Sequence, residues 1–532
     1  MTVRSIPELV RSAAERYADT EAVVDGRTRI SYAELGARVD RAAAACMANG
    51  GVRPGDRVAI WAPNSLDWIV AALGAVSAGA VLVPLNTRFK GTEAVDVLRR
   101  SGARLLFVTG TFLGTSYVAS LRRALAGEAG GGGLPALQRV VVLSEDAPEE
   151  FVTWTDFLAS GEGEAEVRAR ASTLGEGSLS DLMYTSGTTG RPRGVLITHG
   201  QTLRAFQTWA TLAGLRGGDR YLLANPFFHT FGYKAGVLAC LMRGATMIPQ
   251  PVFDATATLA HIATERVTVL PGPPTLLESL VNHPERTSYD LTSLRMTVTG
   301  AAVIPDGLVG RLRRDLGMET VLTAYGLSEA TGIVTMCRRE DEDTVIATTS
   351  GRAIPGTEVR VVAPSGSPVG PGVKGEIQVR GFNVMRGYYD DEPATREAMT
   401  DDGWLRTGDV GVLDPTGNLR ITDRLKDMYI VGGFNAYPAE TERLLRRHPD
   451  ITDAAVIGVP DPRLGEVGRA YVVRRAGAAL TPDDVIAWSR REMANYKVPR
   501  SVEFVGELPR NASGKVLKGE LRKRESAPSA DQ

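Results

Sequence analysis

The stretch Tyr184–Gly194, which reads Y-T-S-G-T-T-G-R-P-R-G, constrains what this chain can become more than any other. Thr185, Ser186, Thr188 and Thr189 alternate with Gly187, Gly190 and Gly194, so the backbone turns tightly while amides and hydroxyls stay able to donate. Loops of that kind hold phosphate. Arg193 adds a permanent cation at the far end, and the apolar run Gly194–Ile197 restores a strand, which predicts a turn between two strands. A flexible Ser/Gly linker is the bland reading of a lone string like this one, and the charge and apolar flanks argue against it. No G-x-x-x-x-G-K-[ST] occurs in the chain, and no G-x-G-x-x-G opens a helix after a strand.

A chain of 532 residues exceeds one core and predicts a large part with at least one smaller one. With 61 basic and 62 acidic residues, a net charge of -1 gives no footprint for nucleic acid. Cys46, Cys240 and Cys337 lie far apart without C-x-x-C spacing, which points to a reducing compartment, the cytoplasm, and away from a disulfide framework or structural zinc. The five histidines show no H-E-x-x-H, so a metal would arrive with the substrate. The first residues lack the apolar core of a signal peptide. Trp68–Thr87 is uncharged and long enough to span a bilayer, but Gly79 and Pro84 interrupt it. It reads as a buried helix, Leu66 to Ala78, then a strand, Ala80 to Val83, and no membrane span is expected.

From Ile30 onward helices alternate with short β-branched runs: helix Tyr32 to Met47, strand Arg57 to Trp61, helix Thr92 to Ser101, strand Arg104 to Val108. That alternation means βαβ units and parallel sheet. Beyond the phosphate loop a second such region runs through strands at Thr246–Pro249, Val267–Leu270 and Met296–Thr299. From Val359 the pattern changes to strands separated by Gly/Pro turns, a small β-barrel-like subdomain. The last hundred or so residues alternate again, with a helix from Pro482 capped by Thr481. The fold class expected is α/β: a large N-terminal domain, residues 1–425, of two βαβ-type sheet layers plus the β-barrel-like subdomain, and a small mobile α+β C-terminal domain, residues 426–532.

Several short constellations recur in order along this frame. His229 sits among Phe227, Phe228 and Phe231, where a histidine is more often packed core than functional. Gly300-Ala301-Ala302 closes a strand; Tyr325-Gly326-Leu-Ser328-Glu329 follows, in which Glu329 alone would pass for a helix cap. It nearly spells the G-x-S-x-G elbow of serine hydrolases, but the last position is Ala330 and the strand-turn context belongs to the other pattern. Trp404–Asp409, Asp423-Arg424-Leu-Lys426, Val431-Gly432-Gly433-Phe-Asn435 and Pro509–Lys515 complete the set. Taken singly, these are a turn, a solvated charge cluster and a surface lysine.

In this order, and over almost the entire chain, they resemble the adenylate-forming superfamily of acyl- and aryl-CoA synthetases, luciferase and peptide-synthetase adenylation domains. The resemblance implies ATP, Mg2+ and coenzyme A as cofactors, with a small carboxylic acid as substrate, and leaves room for a homodimer. It implies that Thr185, Ser186, Gly187, Thr188, Thr189, Gly190 and Arg193 hold phosphates; the family usually carries Lys at the last position. It places Gly300, Ala301 and Ala302 beside the adenine and acyl pocket, and Tyr325, Gly326 and Ser328 at adenine. Glu329 would take magnesium, Asp409 the ribose hydroxyls, and Arg424 the nucleotide. Lys426 would be the hinge, Gly432 and Gly433 the strip facing the pantetheine tunnel, Lys515 the catalytic lysine, and His229 a gate on the carboxylate pocket.

The chemistry implied is adenylation of a carboxylate with loss of pyrophosphate, then attack of the CoA thiol on the acyl-adenylate, governed by positioning and charge neutralisation. Phe228–Gly236 is most similar locally to actinobacterial ligases acting on the bicyclic propanoate of steroid rings C and D. Three alternatives stay open: loading of a carrier protein, activation of nitrite to diazotise an aromatic amine, and a non-catalytic nucleotide-binding homologue, against which Glu329 and Lys515 speak.

Overall fold

A computed structural model describes residues 3–126, 133–144, 147–159, 163–186, 192–300, 304–305, 307–424, 428–509, 516 and 518–526. Of the residues expected to act, Gly187, Thr188, Thr189, Gly190, Ala301, Ala302, Lys426 and Lys515 lie outside the described residues, as do the side chains of Ser186 and Arg424. The chain is mixed α/β and divides into two compact units. The larger comprises Met1–Thr87, Val95–Tyr184 and Gly194–Asp423; the smaller comprises Arg88–Ala94, Thr185–Arg193 and Arg424–Gln532.

In the larger unit one sheet is built on the parallel strands Val81–Pro84, Arg57–Trp61, Leu105–Val108 and Arg139–Val142. All four are rich in Val, Leu and Ile, as strands buried on both faces must be. Leu179–Ser186 pairs in parallel with Val81–Pro84, Pro192–Thr198 lies beside it, and Gly387–Tyr388 closes that edge antiparallel. The helix Leu66–Ser77 covers this sheet region with every residue buried except Asp67. Ser65 caps it by accepting from the amide of Trp68, which explains how an uncharged stretch of membrane-like composition becomes core. No helix among the described residues is long and apolar enough to cross a membrane.

The second layer orders Thr28–Ser31, Glu21–Asp25, Thr246–Pro249 and Arg220–Leu223, then Met296–Gly300, Thr320–Tyr325, Thr335–Met336 and Arg352–Ala353. The strand expected at Val267–Leu270 shrinks to one residue, Val269, which bridges Tyr221 and Met296 and so joins the two halves. Pro271, Pro273 and Pro274 follow at once, and residues without an N–H cannot extend a ladder. The subdomain after Val359 is a four-stranded sheet, Thr357–Val362, Gly375–Gly381, Leu405–Leu413 and Leu419–Arg424, whose first three strands run antiparallel.

The smaller unit has its own core around Tyr429, Ile451, Ala454, Val456, Val472 and Val485. Its backbone is the antiparallel pair Ile451–Asp461 and Gly465–Arg474, with Ser501–Phe504 added in parallel. Thr481 and Asp484 form a reciprocal capping box on the helix Pro482–Glu492.

Candidate active site

Met296–Gly300 and Thr320–Tyr325 are adjacent parallel strands in register, Gly300 opposite Ala324, so Gly300 and Tyr325 emerge together at their carboxyl ends. Open α/β sheets present their ligand sites at such ends. A side chain at Gly300 would meet the Ala324 carbonyl at 2.4 Å, so none fits there.

Tyr325 is 9% exposed and its hydroxyl donates to Asp409 Oδ2 at 2.6 Å, drawing two of the expected nucleotide residues into one contact from different sheets. Two residues beyond Gly326, Ser328–Ala330 forms a single 3-10 turn, and Glu329 stands on it. Its carbonyl accepts from the Met385 amide at 2.8 Å and its Oε1 accepts from the Tyr388 hydroxyl at 2.9 Å. Among the described residues Oε2 has no hydrogen-bond partner. No cluster of three His, Cys, Asp or Glu is present among the described residues either. One half-exposed carboxylate with one oxygen pinned does not make a cage for a resident metal, but it fits a magnesium ion that keeps its water and arrives on phosphate.

Thr331, just past Glu329, takes a left-handed backbone with φ of 59°, uncommon for a β-branched residue. Its hydroxyl donates to the carbonyl of buried Asn383 at 2.6 Å, and Asn383 in turn donates to Ile333 O at 2.7 Å, which holds the turn in place. Gly332 then passes so near the turn at His229 that a Cβ would lie 2.1 Å from Thr230 Cγ2. The Glu329 loop and the His229 turn are therefore neighbours.

His229 caps the turn Thr230–Gly232, its Nδ1 accepting from the Phe231 amide at 3.2 Å. It is open to solvent, and desolvation by the protein packed around the ring lowers the imidazole pKa. Asn64 fixes the turn from behind: its amide donates to Leu223 O and Asn225 O and its Oδ1 accepts from Phe227 N. Phe227 itself is fully buried, 5.0 Å from the Trp68 ring.

Tyr233–Leu238, immediately downstream, is a π-helix. Such insertions recur at functional sites because they re-aim the residues that follow. Here the turn buries Lys234 completely, its Nζ 2.8 Å from Asp181 Oδ1 and 3.1 Å from Thr202 Oγ1. Asp181 is on the strand that runs into the loop expected to hold phosphate, and Ser180 donates to its other oxygen at 2.6 Å. Burial pulls the Lys234 pKa down and the Asp181 carboxylate opposes it. His199 nearby is pushed down to about 4, first by burial and then by the Lys234 charge.

Thr185 is the penultimate residue of the strand Leu179–Ser186 and Arg193 the second of the strand Pro192–Thr198, and both are half-buried. Gly432 and Gly433 have φ of 55° and 86° and form a two-residue turn between Val431 and Phe434. A turn with both φ values positive takes glycine whatever it faces. Phe434 stacks on Tyr496 at 5.0 Å, and Lys497 beside it is buried with Nζ 2.6 Å from Glu440.

The sequence pattern singled out Tyr325, Glu329, Asp409 and His229, and all four belong to the larger unit. Asn64, Asp181, Lys234, Asn383 and Tyr388 it did not reveal, because each acts by reaching a partner remote in the chain. A lysine inside the apolar run Phe227–Leu241 was the one available signal.

The chain matches the family model for AMP-binding enzymes over residues 10–389 and that for the AMP-binding enzyme C-terminal domain over 440–515. It is 51% identical over 520 residues to a 3-[(3aS,4S,7aS)-7a-methyl-1,5-dioxo-octahydro-1H-inden-4-yl]propanoyl:CoA ligase of Rhodococcus jostii, covering 97% of this chain and 98% of that one. A Mycobacterium tuberculosis ligase of the same name is 51% identical over 521 residues, covering 98% and 99%. Among solved structures, an amide bond synthetase from Marinactinospora thermotolerans superposes with a TM-score of 0.83 at 28% identity, covering 97% of this chain and 99% of that one.

Proposed function

The chain belongs to the AMP-binding enzyme family and is an ATP-dependent, AMP-forming acid–CoA ligase, and from that premise we propose its acid and the roles of its residues. The acid is a propanoate carrying a compact bicyclic dione. Identity of 51% sustained over almost the whole chain to ligases named for such a substrate supports it. The run Phe228–Gly236, with its buried Lys234 and π-turn, is the local support.

The acid's carboxylate attacks the α-phosphorus of ATP in line with departing pyrophosphate. Thr185, Ser186, Thr188, Thr189 and Arg193 hold the β- and γ-phosphates, where a guanidinium fork meets paired oxygens. Tyr325 lies against adenine with Gly300, Ala301, Ala302, Gly326 and Ser328 around it, Asp409 accepts from the ribose hydroxyls, and Arg424 contacts the nucleotide. Glu329 holds the magnesium that enters with ATP and neutralises phosphate charge. His229, neutral near pH 7, borders the carboxylate, and Lys515 bridges carboxylate and α-phosphate as charge concentrates there. Rotation of residues 426–532 about Lys426 then exchanges Lys515 for the Gly432–Gly433 turn, and the CoA thiol displaces AMP. Three buried thiols suit a reducing cytoplasm.

The observation that carries the adenylation reading is the pair of carboxylates, Asp409 and Glu329, each with one oxygen held by a tyrosine hydroxyl beside a parallel strand end. Pyrophosphate release is measured over bicyclic, aromatic, medium- and long-chain acids and nitrite, each with and without CoA. The bicyclic propanoate is expected to give the highest kcat/KM and CoA to accelerate turnover; preference for another acid class overturns the substrate. In Lys515→Ala, adenylate formation should vanish while thioester formation from pre-made acyl-adenylate survives. Equal loss in both half-reactions would contradict the division of roles.

A further inference from the structure

Tyr388 lies outside every motif that points to the chemistry, yet its hydroxyl donates to the Glu329 carboxylate. It is 8% exposed and packs in a core cluster with Tyr325, Val195, Ile197, Ala330 and Met385. The amide of Tyr388 donates to Thr395 Oγ1 at 2.9 Å, so its backbone is fixed as well as its ring. The short strand it stands on pairs with the strand leaving the phosphate loop, Val195 opposite Tyr388 and Leu196 opposite Gly387. Arg386 N to Leu196 O at 2.9 Å and Tyr389 N to Gly194 O at 2.7 Å extend that pairing on both sides.

The segment 385–389 therefore grips the loop's outgoing strand through its backbone and Glu329 through two bonds, Met385 N to the carbonyl and Tyr388 Oη to Oε1. A glutamate on a three-residue 3-10 turn has three free side-chain torsions, and ordering them costs conformational entropy. A hydroxyl from a rigid strand removes most of that freedom before any ligand arrives. It also decides which oxygen is engaged and which faces outward.

We propose that Tyr388 is the positioning residue for the Glu329 carboxylate: it holds Oε1 so that Oε2 is presented to the divalent ion carried by ATP. The inference rests on the reading of Glu329 as a metal ligand, and the experiment separates the two. Partners that orient a metal-binding carboxylate typically change metal affinity by about 10–100-fold when removed.

Mn2+ is titrated into the full-length protein with α,β-methylene-ATP, and free Mn2+ is read by electron paramagnetic resonance. Wild type, Tyr388→Phe, Glu329→Gln and the double variant are compared, with thermal melts to confirm folding and with metal dependence and acid KM from pyrophosphate exchange. Tyr388→Phe should weaken Mn2+ retention about tenfold, raise the metal requirement and leave the acid KM unchanged. The double variant should be no worse than Glu329→Gln, because the hydroxyl acts only through that carboxylate. Unaltered Mn2+ binding in Tyr388→Phe alongside weakened binding in Glu329→Gln overturns the inference and leaves the Glu329 reading standing. Additive losses in the double variant overturn it too. If Glu329→Gln binds Mn2+ as wild type does, the metal reading itself fails and the inference with it.

Discussion

Replacing Lys234 with methionine removes a charge and its bonds to Asp181 and Thr202 while nearly conserving volume. Asp181 is 0% exposed and would keep only the Ser180 hydroxyl, leaving a buried carboxylate without its cation. Breaking one side of a buried pair costs about 3–5 kcal/mol, whereas replacing both sides with apolar residues is often neutral or favourable. Lys234→Met should therefore lose about 4 kcal/mol, and Lys234→Met/Asp181→Leu should recover most of it, less about 1 kcal/mol because the Ser180 and Thr202 hydroxyls keep only their long bonds to each other and to Ile197 O. The larger unit holds roughly 400 residues, so its unfolding entropy is about 0.9 kcal/mol/K and the single variant should melt about 4–5 °C lower. Urea unfolding of the two variants, Asp181→Leu and wild type closes a double-mutant cycle. A loss under about 1 kcal/mol in Lys234→Met, or a double variant no more stable than it, refutes the claim that this pair's cost lies in being broken rather than in being absent.

His199 is held neutral with a pKa of about 4, below its value near 6.5 in an unfolded chain, so the unfolded chain takes up the extra proton between the two. Its contribution is fully present above about pH 6.5 and is lost as pH falls towards 4, up to about 3 kcal/mol in all. The urea midpoint should fall more steeply between pH 7 and 4.5 in wild type than in His199→Gln; parallel curves would exclude this group. Gly433→Ala forces a side chain into φ of 86°, costing about 1–2 kcal/mol in the smaller unit. It should slow thioester formation from acyl-adenylate and spare adenylate formation, as the two half-reactions measured separately will tell.

The parallel strands were legible because each carries its own signal, a short β-branched run between helices, and strands such as Arg57–Trp61 and Thr246–Pro249 begin and end where the pattern puts them. Val267–Leu270 has the same composition and becomes a single bridge, since composition does not count the prolines that follow. Among the candidate site residues, Tyr325, Glu329 and Asp409 lie in dense local patterns. What holds them does not: Tyr388 is 59 positions from Glu329, and Asn64 is 163 from Phe227. Lys234 is the intermediate case. A charge in an apolar run announces that a counter-charge exists, but only the fold, through a π-turn no propensity indicates, says that it is Asp181.

Gly332 leaves no room for a methyl group against Thr230, so the loop under Glu329 and the turn bearing His229 share one packed contact. Packed contacts transmit displacement rather than absorb it. On the proposed roles of Glu329 and His229, a shift that nucleotide imposed on the first would be felt by the second, and the two substrates would bind with a common linkage term. Reciprocity makes that term symmetric: the factor by which nucleotide alters the enzyme's grip on the acid equals the factor by which acid alters its grip on nucleotide.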